Sequence, residues 1–175
     1  MHDDAPAGAR YADLPFGEQL LVWALRLWVR GYMTQDSGDA EDLPAALRRG
    51  FHQANLDAGY SLLDELLSIV SVSARARIDV GCPCCVGIGD DEQLFIAVIA
   101  ALQRDDFPTG RRLLGYWLTA SGVRLALAPA LRLARLLTRR GLALRPRTIL
   151  RPAEEREAAA APRLPTVDPA PGTLH

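Results

Sequence analysis

Asp90-Asp91-Glu92-Gln93 followed by Leu94-Phe95-Ile96-Ala97-Val98-Ile99-Ala100-Ala101-Leu102 is the stretch on which the fold turns. Residues 94–102 are apolar without interruption, so a helix built from them has no polar side to offer water. Such a helix is stable only with neighbours on every face, which puts it at the centre of a bundle. Asp90 is a good N-cap, and Gln93 three positions on has the spacing of a capping box, so the helix is expected to begin there.

Working outward, residues 104–110 form a short polar turn into a fifth helix carrying Leu113, Leu114, Tyr116, Trp117 and Leu118. Ser121-Gly122 breaks the chain, and a last helix runs over 123–140 with Gly141 placed to end it. Pro129 lies inside that helix and is expected to kink or divide it. Upstream, residues 60–73 read as a third helix with Leu62, Leu63, Leu66, Leu67, Ile69 and Val70 on one wide face. Asp42-Leu43-Pro44 starts a second helix, and Asp13-Leu14-Pro15 starts the first, with Asp13 as N-cap and Glu18 near the positive end of the dipole. In the first helix only Arg26 and Arg30 interrupt the apolar run 20–28 and its continuation, so it too must pack on more than one neighbour. The two Asp-Leu-Pro starts do not mark a repeat, because the residues after them differ.

The expected architecture is therefore all-α: a single helical bundle of five or six helices over 13–148, after a flexible N-terminus over 1–12. A disordered tail rich in Ala and Pro is expected over 149–175, and residues 34–41 read as a polar connector. Abundant Leu and Ala with few β-branched residues agree with this class.

All 20 basic residues are Arg, and Lys is absent. That excludes a phosphate loop ending in Gly-Lys-Ser/Thr and any Schiff-base chemistry on lysine. No G-x-S-x-G or H-E-x-x-H is present, and three histidines are too few for a convincing base, so a non-catalytic role is expected. The first residues lack the basic and apolar regions of an export signal, and no apolar run nears the ~20 residues of a membrane helix. Cytoplasmic localisation is the expectation, without stable disulfides.

All three cysteines lie in the loop Gly81-Cys82-Pro83-Cys84-Cys85-Val86-Gly87-Ile88-Gly89. Thiolates suit zinc, and Cys82, Cys84 and Cys85 with the internal His52 would make a three-sulfur, one-nitrogen set; His2 and His175 lie near the chain ends. The Cys-x-Cys-Cys spacing differs from the usual two-pair zinc pattern, so no cofactor is required and zinc is the metal to test. A redox reading would close Cys82 on Cys84, since adjacent Cys84 and Cys85 are poorly placed to bond. The sequence favours a third reading, in which small soft cysteines fill space against the core. Gly87 and Gly89 do not make a nucleotide-binding turn, because no strand precedes them and three acids come next. Those acids, Asp90, Asp91 and Glu92, read as helix capping rather than as a Mg²⁺ site.

Charge is divided along the chain. Residues 1–106 hold 17 acids and 8 Arg, a net of −9; residues 107–153 hold 10 Arg and no acid; residues 154–175 add −2. On the last helix Arg124, Arg132, Arg135 and Arg139 fall on one narrow sector. The primary expectation is a small adaptor or regulator presenting this Arg-rich face to an acidic protein partner. A metal- or redox-responsive protein using the cysteine loop is the alternative. A nucleic-acid-binding regulator is the third, although aromatics for stacking are missing from the stripe.

Overall fold

The computed structural model describes residues 9–34 and 42–149. Among these described residues six α-helices succeed one another: α1 (Phe16–Met33), α2 (Leu43–Gln53), α3 (Gly59–Ser73), α4 (Asp90–Gln103), α5 (Phe107–Trp117) and α6 (Ala120–Arg139). Among the described residues there is no strand, only two isolated bridges, Arg10 with Gly87 and Ala74 with Leu118. The all-α bundle read from the sequence is the fold observed. Residues 1–8, most of the 34–41 connector and the tail beyond 149 lie outside the described residues. No described helix is long and apolar enough to cross a membrane.

α4 is the central element. Every residue of 94–102 is buried, against α5 and α6 and, more lightly, α1. Each large aliphatic side chain removed from water there contributes about 1.5–3 kcal/mol. α6 packs chiefly on α3, and the two run antiparallel: Gly122 meets Ser73 at one end, and Arg132 meets Glu65 further along. A Cβ on Gly122 would lie 2.5 Å from that of Ser73, so a glycine is what lets these ends approach.

The helix boundaries have local causes. Asp42 caps α2 by accepting from Ala45 N–H, Asp106 caps α5 through Thr109 N–H, and Thr119 caps α6 through Gly122 N–H. Three helices end in the same way. Asn55, Asp105 and Gly141 take left-handed backbone after α2, α4 and α6, and the next residue donates back to the third-last carbonyl (Leu56 to Phe51, Asp106 to Ala101, Leu142 to Leu137).

Four expectations are corrected. Asp13 does not cap α1; it ends a short 3-10 turn over Tyr11–Asp13, and α1 starts after Pro15, because Leu14 precedes a proline and is held extended. α4 is preceded by Gly89 rather than capped by Asp90, so Glu92, not Gln93, holds the capping-box position. Pro129 does not divide α6, which runs through it. The carbonyl that Pro129 leaves without an N–H belongs to Leu125, whose side chain is exposed, so water can take its place. Finally, residues 9–12 are not free: Tyr11 N–H donates to Val86 O (2.8 Å) and Ile88 N–H to Ala9 O (3.0 Å), tying them to the cysteine loop.

Candidate functional site

The site is built on the first turn of α4. Asp91 and Glu92 are both buried there, next to the helix's unpaired N–H groups, where carboxylates are favoured. Asp91 accepts from Asp79 N–H (2.8 Å) and from the Trp117 indole N–H (2.9 Å). Glu92 accepts from Gly81 N–H (3.1 Å) and Gly89 N–H (2.9 Å), one at each end of the cysteine loop. Two acids that read as capping residues thus also hold 79–89 to the bundle.

Arg26 of α1 completes the arrangement. Its Nε lies 2.6 Å from Glu92 Oε1 and its Nη2 lies 2.9 Å from Oε2, a bidentate pair with both side chains buried. The remaining reach of the guanidinium goes into the loop: Nη1 donates to Cys85 O and Nη2 to Gly87 O, each at 2.7 Å. The Tyr11 ring lies beside it, 5.6 Å from Cζ to centroid. Burial pushes the Glu92 carboxyl up, but the Arg26 hydrogen bond, the Gly89 N–H, the Arg26 charge and the Gly81 N–H outweigh it and hold it below the usual glutamate range. The hydrogen bond to Glu92 raises Arg26 against the opposing effect of burial. Burial raises the Tyr11 phenol, with Arg26 pulling the other way.

Above this base the loop presents its sulfur to solvent. Cys82 and Cys84 are exposed and Cys85 is half-buried, so the expectation that the cysteines fill space in the core is overturned. Pro83 and Cys84 make the turn; Ile88 alone of the loop is buried. Cys82 and Cys85 form a disulfide with Cα atoms 5.1 Å apart, within the ordinary range. The pairing is Cys82 with Cys85, not Cys82 with Cys84, because the turn that brings Cys85 N–H to Cys82 O (3.0 Å) brings those two side chains together. Cys82 N–H also points at Cys85 Sγ (3.0 Å), and the free Cys84 Sγ lies 3.2 Å from Cys82 Sγ.

His52, expected with Cys82, Cys84 and Cys85 as a zinc set, is engaged elsewhere. Its Nδ1 is 2.6 Å from Asp57 Oδ1, and both side chains are exposed at the end of α2. Among the described residues no group of three or more His, Cys, Asp or Glu is arranged for a metal ion.

The basic sector divides. Arg132 Nη2 donates to both carboxylate oxygens of Glu65 of α3, so part of the stripe is compensated within the fold. Arg124, Arg135 and Arg139 are exposed, and among the described residues they make no ion pair. Beyond α6, Arg145 N–H and the Arg147 guanidinium both bind the buried Glu18 of α1.

No protein-family model matches this chain, and neither a curated protein nor a solved structure was found to match it.

Proposed function

We propose that the protein is a thiol–disulfide responsive regulator whose exchangeable pair is Cys82–Cys85. The observation that carries this reading is an exposed C-x-x-C loop whose backbone is fixed from beneath by the buried Arg26–Glu92 pair. Exchange begins when an external thiolate attacks the exposed Cys82 Sγ. A mixed disulfide forms at Cys82, the Cys82–Cys85 bond breaks, and Cys85 leaves as thiolate toward the Cys82 N–H that already faces it. In a reducing cytoplasm the pair would rest as two thiols and close on oxidation, which makes it a sensor rather than a structural staple. The loop's bonds through Cys85 O and Gly87 O to Arg26 connect that change to α1 and α4.

The test is to equilibrate the chain with glutathione mixtures of graded ratio, trap free thiols by alkylation and read the masses. A Cys82–Cys85 midpoint above about −300 mV is expected for a labile pair. A pair that never closes, or that resists reduction by the whole glutathione range, ends this reading.

A second reading is favoured by Arg124, Arg135 and Arg139, which stand exposed on one sector of α6. Such a face suits an acidic protein surface, and the chain would serve as an adaptor. Reversing Arg124 and Arg135 to Glu should abolish co-purification of the partner. Binding instead to DNA or RNA, weakening steeply as salt rises, would turn this reading toward nucleic acid.

A further inference from the structure

The geometry points to a binding site for a small organic ammonium ion, about the size of choline, in the aromatic groove between α1, α2 and α3. None of the residues lining this groove belongs to the cysteine loop or to the Arg sector of α6, so the inference is independent of both readings above.

The groove starts from the sequence of α1. Trp28 and Tyr32 stand four residues apart, hence on one face of the helix, and their rings stack with centroids 5.4 Å apart and planes within 9° of parallel. Tyr60 of α3 supplies a third ring, and Leu43 and Leu47 of α2 add apolar lining. The space between them is about 470 Å³, within the range of small-molecule sites. Tyr32 is 51% exposed, so the stacked surface is open to solvent rather than covered by the core.

Two observations give the sign of the ligand. First, Asp64 of α3 is the one charged side chain among the described residues that line the groove, and it is half-buried. Its Oδ1 accepts from the Trp28 indole N–H (2.7 Å), which ties α3 to α1 across the groove, and no described residue donates to its Oδ2. A largely apolar cavity with one carboxylate and no cation favours a positive ligand, because the ligand brings the missing counter-charge. Second, a ring of this groove already holds a cation on its face: the Arg48 guanidinium lies 4.7 Å from the Tyr60 centroid. Arg48 does not line the groove and leaves the space itself unfilled. Ring faces and a carboxylate together suit a quaternary ammonium, which has no N–H groups to satisfy and whose methyl groups pack against Leu43 and Leu47. An anionic ligand would instead meet Asp64 with like charge.

The experiment titrates the full chain with choline and, separately, with its neutral isostere 3,3-dimethylbutan-1-ol at constant ionic strength, read by saturation-transfer-difference NMR on the ligand methyl protons. Choline should bind at least roughly fivefold tighter, the combined effect of two exposed cation–π contacts. Asp64→Asn keeps an oxygen for the Trp28 indole but removes the charge, so choline should fall toward the isostere while the isostere is unchanged. Tyr32→Leu removes one ring and should reduce the preference by roughly two- to fivefold. Glu65→Gln, one residue on and outside the groove, should leave both ligands unchanged, which separates the site from general attraction to acidic surface. The inference is overturned if choline binds no tighter than the isostere, if Asp64→Asn with a parent-like thermal melt keeps the full preference, or if Glu65→Gln lowers it as much. If Asp64→Asn melts early, Tyr32→Leu decides in its place, since half of that side chain lies in solvent, and an undiminished preference there overturns the inference.

Discussion

Arg26–Glu92 and Glu18–Arg147 are both buried ion pairs, both anchored on α1, and both hold irregular chain against the helices, yet they are finished to different degrees. Glu92 accepts four hydrogen bonds, two from Arg26 and two from the loop backbone, and Arg26 spends the rest of its reach on loop carbonyls. Glu18 accepts from Arg145 N–H and from Arg147, while Arg147 Nε is buried with no partner among the described residues. Arg147 is also 17% exposed, against 2% for Arg26. A buried pair repays its desolvation only when the remaining donors and acceptors are satisfied. The first pair meets that condition and organises the cysteine loop; the second meets it in part and fastens a trailing segment.

The largest test of this difference is Glu92→Gln. It leaves the Arg26 charge buried against a neutral amide, and loss of about 3–5 kcal/mol is expected in urea unfolding. Cys84 should also become faster to alkylate as the loop loosens. A loss below about 1 kcal/mol would mean that the pair contributes little to holding the loop. Acid titration gives the same contrast. The Glu92 carboxyl is held below its unfolded value, so its stabilisation is full above the unfolded pKa and is lost as pH falls through the folded one. The acid limb of stability against pH should therefore be shallower in Glu92→Gln.

Glu18→Gln should cost less, about 1–3 kcal/mol, since its amide oxygen can still accept from Arg145 N–H. A cost equal to that of Glu92→Gln would erase the distinction between the two pairs. The smallest effect belongs to Arg132→Ala. Its pair with Glu65 is about half exposed on both sides, and under about 1 kcal/mol is expected by thermal or urea melts.

Much of the fold is legible in the sequence because its signals are local. The unbroken apolar run at 94–102 requires a central helix, and Asp42 and Gly141 mark helix ends by side-chain reach and backbone freedom. The boundaries that differ do so where a neighbour overrides the cap residue, Pro15 over Asp13 and Glu92 over Asp90. The site is legible only in outline. The loop stands out, but Arg26 reads as an interruption of an apolar helix, although a charge inside such a helix needs a partner. Its partner lies 66 residues away, and no spacing rule connects them. The Cys82-x-x-Cys85 spacing is there to be seen, masked by the nearer Cys82–Cys84 and Cys84–Cys85 combinations. Cysteine exposure is not legible because composition favours burial, whereas Ile88 takes the buried position of the loop.

The trailing segment bears on how the chain is made. Leu142 and Leu144 lie over Gly17, Gln103 of α4 bonds the backbone on both sides of Ala143, and Glu18 waits for Arg145 and Arg147. The groups joined at Glu18 are 127 and 129 residues apart. During synthesis α1 emerges before the five other described helices, and its acid must stay hydrated until residues 145–147 have followed them. A chain stopped after α6 would own every described helix and still carry at Glu18 a carboxylate without the partners that bury it. Residues 142–147 therefore close over α1 and α4 only after every described helix has been made.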